Sequence, residues 1–232
     1  MTDVCPGLIL RPGYLDRAAQ ESLLAALRRV IADAPFYTAR MPKSGKPMSV
    51  RMTNCGPLGW YSDAAGGYRY QAMHPETGRS WPAMPDMLLR AWDELAGYPH
   101  PPEACLINYY GGDARMGLHQ DKDEQDFAAP VVSLSLGDTG LFRIGGLRRG
   151  DPTRSIRLAS GDALVLAGAA RLAFHGIDRI LPGTSTLLPE GGRINLTLRR
   201  VTRGGRESGI PGESNRAPGS AAHHAAAPDA AR

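Results

Sequence analysis

The chain is poor in cysteine, in histidine and in long apolar runs. Its 232 residues include three cysteines, Cys5, Cys55 and Cys105, far apart and without a CxxC pair. That spacing excludes a zinc knuckle, a thioredoxin-type motif and a disulfide framework, and it leads us to expect a reducing, cytoplasmic setting. The longest apolar stretch, ALVLAGAARLAF at 163–174, is short and broken by Arg171, so no membrane span is expected. MTDVCPGLIL at the N-terminus has no basic segment leading into an apolar run, so no secretory signal is expected either. Charge of one sign is also scarce. The net charge is +4, and residues 203–232, with four arginines and three acidic residues, contribute only one unit of it. The balance has the sign that suits a polyanion but is too small to establish one.

Glycine and proline are plentiful, at 28 and 19 residues, which favours turns and short strands over a helical bundle. Asp16 has the character of an N-cap, and Leu23, Leu24, Leu27, Val30 and Ile31 follow at helical spacing until Pro35. A second helix is expected from Pro85 to about Gly97, burying Leu88, Leu89, Trp92 and Leu95. The stretch between them is irregular, with two short strands at most. From residue 104 onward ACLINYY, VVSLSLG, GLFRIGG, RSIRLAS, DALVLAG, RLAFHG and RINLTLRR succeed one another with turn residues between. That texture predicts a mainly β fold, a jelly-roll with two helices supporting one sheet. Residues 203–232 are rich in Gly, Ala, Pro and Ser, are expected to be disordered, and contain His223 and His224 as incidental residues.

The candidate chemistry begins in LHQDKDE at 118–124. On a strand, residues two apart share a face, so His119 and Asp121 are expected to project together into a barrel interior, with Gln120 turned away. One histidine and one carboxylate, joined by a distant second histidine, make the facial triad that leaves positions open on Fe(II). His175, in RLAFHG at the end of an expected strand and followed by Gly176, is the best second histidine. His74, before Pro75, and His100, between Pro99 and Pro101, sit in proline-flanked loops and are expected at the surface. An HxD pair alone is a weak signal, and a lone His175 reads better as a partly buried histidine capping a strand.

The segment RINLTLRR strengthens the case. Arg193, Asn195, Thr197 and Arg199 alternate with Ile194, Leu196 and Leu198, which puts two arginines and an asparagine on one face. An arginine holds a carboxylate through two parallel charge-assisted hydrogen bonds, so that face suits a dicarboxylate. Asn108 and Tyr110, two apart in LINYY, add donors on one face just before the HxD pair.

Taken together, LINYYGGDARMGLHQDKDE, VVSLSLG, FRIGGLRRGDP, RLAFHG and RINLTLR, with MSVRMTNCGPLGW and WPAMP upstream, resemble the bacterial AlkB family over residues 7–202. These are Fe(II)- and 2-oxoglutarate-dependent dioxygenases that repair alkylated bases. The resemblance implies a double-stranded β-helix of the 2-oxoglutarate dioxygenase type. It implies one catalytic domain over residues 1–202, with a nucleotide-recognition lid at about 40–80 and a jelly-roll core at 104–202. It implies His119, Asp121 and His175 as iron ligands. It implies Arg193 and Tyr110 at the distal carboxylate of 2-oxoglutarate, and Arg199, Asn195 and Asn108 at the end nearest the metal. It further implies Trp60 stacked on a flipped-out base with Met52 beside it, Asp123 facing the cationic ring or exocyclic amine, and Tyr68 and Arg149 on the nucleic-acid strand. The partner implied is alkylated DNA, single-stranded by preference, or RNA, bound by a monomer, with Fe(II), 2-oxoglutarate and O2 consumed in restoring bases such as 1-methyladenine and 3-methylcytosine.

Two positions depart from the pattern. Close relatives carry an aromatic near Lys46 and a tryptophan at the position of Leu166, and both departures bear on substrate preference rather than on iron chemistry. Two other functions are compatible with parts of the pattern. One is a 2-oxoglutarate oxygenase of proteins or small molecules, against which Trp60, Asp123 and the mild positive charge speak. The other is a non-catalytic reader of modified nucleic acid, which has no need of intact metal ligands.

Overall fold

The computed structural model describes residues 6–204, so the expectations for 205–232, including His223 and His224, and for Cys5 lie outside the described residues. In chain order the elements are β1 (Leu8–Arg11), α1 (Arg17–Asp33), β2 (Arg51–Cys55), β3 (Gly59–Asp63), β4 (Gly67–Gln71), α2 (Asp86–Leu95) and β5 (Ala104–Tyr110). There follow β6 (Met116–His119), β7 (Val131–Gly137), β8 (Thr139–Ile144), β9 (Arg154–Leu158), β10 (Ala163–Leu166), a single 3-10 turn (Gly168–Ala170), β11 (His175–Leu181) and β12 (Arg193–Arg199). The strands form a six-stranded sheet in the order β1-β10-β7-β12-β5-β2, a four-stranded sheet in the order β6-β11-β8-β9, and a separate β3-β4 hairpin. The two larger sheets are the major and minor faces of the double-stranded β-helix that the sequence predicts.

The strand alternation of RINLTLR decides how this fold buries itself. Ile194, Leu196 and Leu198 face outward and pack with Leu23, Leu27 and Val30 of α1 and with Leu88 and Trp92 of α2. The two helices therefore cover the outer face of the major sheet, as expected. The Asp16 carboxylate accepts a hydrogen bond from the Ala19 amide at 2.8 Å and caps α1. A second apolar cluster, with Met52, Leu106, Phe142, Leu164 and Ile177, lies between the sheets. Cys55 and Cys105 are free and buried, facing each other across β2 and β5.

The structure departs from the sequence expectations in four places. LILR at 8–11 is a strand of the major sheet, and the irregular region holds three strands instead of two. Because β1 and β2 belong to the six-stranded sheet, that sheet draws on residues well before 104, including Arg51–Cys55. RLAF at 171–174 is not a strand; the 3-10 turn precedes it, and His175 opens β11 instead of closing an earlier strand. Gly168 and the alanines around it favour that tight turn, and Gly168 has a φ of 50°, which a strand would not allow.

Leu196 is fully buried in the middle of the helix-covered face. Leu196→Ala is expected to lower unfolding stability by about 2–5 kcal/mol, read from the urea midpoint with an unchanged slope.

Candidate active site

The histidines meet because β6 and β11 are antiparallel neighbours in which His119 and His175 are direct partners. Their rings lie 4.6 Å apart between centroids. Asp121 does not share the strand; β6 ends at His119, and Asp121 sits just beyond it. The two side chains nonetheless project together, as expected, although Asp121 lies outside the strand itself. Gln120 turns away and donates to the Leu172 carbonyl at 2.7 Å. His119 Nε2 lies 3.6 Å from Asp121 Oδ1, and His175 Nε2 lies 3.9 Å from Asp121 Oδ2. Nδ1 of His119 faces the Gly117 carbonyl at 3.0 Å and Nδ1 of His175 faces the Ala173 carbonyl at 2.9 Å. Both Nδ1 atoms act as donors to these carbonyls, which leaves both Nε2 lone pairs turned towards Asp121, the arrangement a metal requires. Among the described residues this is the one group of three or more metal-binding side chains, with ligand atoms all within 4.8 Å of one another.

Gly176 makes the pairing possible. A β-carbon there would lie 2.4 Å from the Met116 carbonyl oxygen and 2.8 Å from that of Gly117. The expected surface histidines do not join the site. His74 is buried, with its Nε2 at 2.8 Å from the Pro35 carbonyl and its Nδ1 accepting from the Glu76 and Thr77 amides. His100 is half-buried beside Tyr98.

The triad opens into a cavity of about 980 Å³ between the two sheets. Strand register places the polar residues on its major-sheet wall. Met52 pairs with Asn108, Asn108 with Asn195, and Asn195 with Ser135, in one row across four strands. Asn195 Nδ2 donates to Ser133 Oγ at 2.6 Å, and Thr197 Oγ1 donates to Asn195 Oδ1 at 3.0 Å. Tyr110 lines the cavity, whereas its cross-strand partner Arg193 is wholly buried beside it and off the cavity surface.

Arg199 donates from Nε and Nη2 to Asp121 Oδ2 at 3.1 and 2.9 Å. Burial alone would raise the Asp121 carboxyl, but Arg199 and then the two histidines hold it well below the usual carboxylate range. Burial, assisted by His119, pushes His175 down to about 4, so it is neutral and able to bind a metal near pH 7. Arg193 reaches only neutral acceptors, Ser135 Oγ at 2.7 Å and the Leu158 and Asp138 carbonyls at 3.0 and 3.4 Å. Burial pushes its guanidinium down to about 10. Three buried polar atoms have no partner among the described residues, and they are Asn108 Oδ1, Arg193 Nε and Arg199 Nη1. Buried polar atoms are rarely left so, and all three belong to residues expected to hold 2-oxoglutarate. The two guanidinium nitrogens are donors and fit that dicarboxylate, whereas Asn108 Oδ1 is an acceptor.

At the mouth, Trp60 Nε1 donates to Asp123 Oδ2 at 3.0 Å, and Tyr68 stacks on Trp60 with centroids 5.6 Å apart. Met52 is fully buried on the cavity wall. Arg149 lines the rim, donating to the Leu118 carbonyl at 2.9 Å and lying over Phe174. Lys46 and Leu166, the two departures, both line the cavity, Lys46 exposed and Leu166 buried. Sequence reasoning missed Ser133 and Ser135, although hydroxyls two apart on an otherwise apolar strand are a legible signal. It also missed Tyr70, Glu124 and Arg171, which form a buried network behind Asp121. The available signal was a charged residue inside the apolar run at 163–174, read only as an interruption.

A fold of this kind with a His-Asp-His centre defines a metal-dependent oxygenase. The profile of the 2OG-Fe(II) oxygenase superfamily matches residues 7–199. The chain is 60% identical to the alpha-ketoglutarate-dependent dioxygenase AlkB homolog of Caulobacter vibrioides over 198 residues, 85% of this chain and 89% of that protein. It is 44% identical to the alpha-ketoglutarate-dependent dioxygenase AlkB of Escherichia coli over 187 residues, 79% of this chain and 85% of that protein. The solved structure of OsALKBH1 superimposes with a TM-score of 0.70 at 31% identity, covering 84% of this chain and 99% of that one. The chain belongs to the 2OG-Fe(II) oxygenase superfamily and, within it, to the AlkB family. The cofactors of such an enzyme are Fe(II), 2-oxoglutarate and O2, and His119, Asp121 and His175 form the metal site.

Two outcomes follow from this geometry. Gly176→Ala forces β6 away from β11 and is expected to weaken Mn(II) binding by roughly tenfold or more, through about 1–3 kcal/mol of overpacking, measured by calorimetry. For pH, His175 titrates near 6.5 when unfolded and near 4 when folded. Between those values the unfolded chain holds a proton the folded chain does not, so the metal-free protein loses stability as pH falls. The loss from pH 7 to 5 is expected to be about 2 kcal/mol, and His175→Gln is expected to flatten that slope in urea titrations.

Proposed function

We propose that this chain is an oxidative dealkylase of N-alkylated nucleic-acid bases, such as 1-methyladenine and 3-methylcytosine. The observation that carries the reading is the pairing of Trp60 with Asp123 at the mouth of the metal cavity. A base is accessible only after leaving its stack, and an aromatic face compensates for the lost stacking by about 1–3 kcal/mol. Tyr68 covers one face of Trp60 and leaves the other for the base. The carboxylate that orients the indole is the group that favours a cationic ring over a neutral one. Met52 supplies an apolar wall beneath it.

Around the rim stand Lys43, Lys46, Arg115, Lys122 and Arg149, all exposed. A strip of cations around a base-sized opening suits the phosphates on either side of a flipped nucleotide. DNA is the substrate we favour, single-stranded because a strand without a partner need not be unpaired first. RNA offers the same phosphates and bases. The β3-β4 hairpin and its flanks, within about 40–80, act as the lid of one catalytic domain over residues 1–202. The protein works as a monomer in the cytoplasm, a reading supported by its free buried thiols.

Bound Fe(II), 2-oxoglutarate and O2 supply the oxidising chemistry, in which 2-oxoglutarate becomes succinate and CO2 and the hydroxylated methyl group leaves as formaldehyde. The chain does the positioning. His119, Asp121 and His175 hold the metal on one side only. Arg193, with Tyr110 beside it, takes the distal carboxylate of 2-oxoglutarate. Arg199 through its free Nη1, with Asn195 and Asn108, takes the end nearest the metal. The apolar wall formed by Phe142, Leu164 and Leu166 keeps water from the methyl group.

The test is a single-stranded oligonucleotide carrying 1-methyladenine, incubated with protein, Fe(II) and 2-oxoglutarate. The restored base and formaldehyde are expected in equal amounts, with none from His119→Ala. Trp60→Ala is expected to raise KM roughly tenfold, the stacking contribution of one aromatic. If no lesion in DNA or RNA is demethylated, while a protein or small molecule stimulates succinate release, the substrate assignment is wrong.

A further inference from the structure

Glu124 lies three residues after the metal ligand Asp121, is 6% exposed, and has no part in the chemistry above. A buried carboxylate needs compensation, and this one has three partners. The Tyr70 hydroxyl donates to Oε1, Arg171 Nη2 lies 3.1 Å from Oε2, and Arg199 Nε lies 3.4 Å from Oε1. The same two arginines grip Asp121. Arg199 holds its carboxylate, and Arg171 Nη1 donates to its backbone carbonyl at 2.7 Å. Arg171 Nε anchors the far end of the same loop through the Ala129 carbonyl at 2.8 Å. Two buried acids and two buried bases form a neutral cluster in which each member depends on the others.

Tyr70 carries this cluster out to the cavity mouth. It lies in β4 directly opposite Trp60 in β3, and the hairpin pairs with neither large sheet. The Trp60 main chain is fixed to β2 through Asn54. The hairpin is also tied at two points to one short segment of the metal loop, Trp60 to Asp123 and Tyr70 to Glu124. In that segment Asp121 serves the metal, and the two following acids serve the hairpin.

We propose that the Tyr70–Glu124–Arg171/Arg199 network couples the β3-β4 hairpin to the metal centre, with Tyr70, Glu124 and Arg171 as positioning residues. Loading the metal site draws on Asp121 and Arg199, which sets Glu124 and through it the posture of the hairpin. The consequence for catalysis rests on the proposed reading of the hairpin as the substrate lid: a base seated on Trp60 and a competent metal ligand are favoured together, so cosubstrate is not consumed without substrate. The link itself does not depend on what the substrate is.

The experiment compares wild type with Tyr70→Phe, which removes one hydroxyl and keeps the ring. Hydrogen–deuterium exchange is followed over residues 59–71 with and without Mn(II) and 2-oxoglutarate, and Mn(II) binding is measured by calorimetry. In wild type, loading is expected to slow exchange in the hairpin, and in Tyr70→Phe that protection is expected to fall by roughly tenfold. Mn(II) affinity in the variant is expected to stay close to that of wild type. Equal protection in both proteins, or none in wild type, overturns the proposal. Loss of Mn(II) binding in Tyr70→Phe also overturns it, because the hydroxyl would then be holding the site together instead of linking it to the hairpin. Failure of wild type to demethylate any base sinks the proposed substrate and leaves this comparison readable.

Discussion

Two guanidinium groups, Arg193 and Arg199, are buried six residues apart on the cavity face of β12. Removing such cations from water costs several kcal/mol each unless anions answer them. The protein answers only one. Arg199 has Asp121 and Glu124, whereas Arg193 has a hydroxyl and two carbonyls, with no carboxylate within ion-pair distance among the described residues. The flanking strands β5 and β7 contribute neutral groups, Asn108, Tyr110, Ser133 and Ser135. A guanidinium beside the cavity without a paired carboxylate, and two unmatched donors, Arg193 Nε and Arg199 Nη1, suit an anion from outside.

The metal site answers the same constraint from the other sheet. His119 and His175 come from paired strands of the minor sheet, and Asp121 stands between them and Arg199 on the major sheet. Asp121 is therefore the point at which the two halves of the fold are joined electrostatically. A dicarboxylate cosubstrate would supply the carboxylate that Arg193 lacks and would offset the charge that a doubly charged metal brings beside Asp121. The strong downward pull on the Asp121 carboxyl keeps it an anion over the whole physiological range.

Much of this could be read from the chain because strand alternation is a strict rule. Alternation in RINLTLR separated the helix-facing leucines from the polar wall, and HxD with a later histidine named the metal ligands. What alternation could not give was anything set by turns or by contacts distant in sequence. Asp121 lies just beyond the end of β6, and His175 opens a strand because a 3-10 turn at Gly168–Ala170 precedes it. His74 reads as a surface residue beside Pro75, yet it is buried by contact with the Pro35 carbonyl, 39 residues away. Arg171 and Glu124 find each other across 47 residues, and no local pattern marks such a pair. The masking of β1 has a similar cause, since four residues give too short a window for periodicity.

The central claim, that the buried arginines of β12 await a dicarboxylate, is tested most directly by calorimetry on the Mn(II)-loaded protein. It would be titrated with 2-oxoglutarate and with 2-oxobutyrate, which keeps the keto acid and lacks the second carboxylate. The account predicts that 2-oxoglutarate binds tighter by roughly a hundredfold or more, the cost of leaving one buried charge unpaired. It also predicts that Arg193→Gln removes most of that gap. Equal affinity for the two acids in the wild-type protein would contradict it.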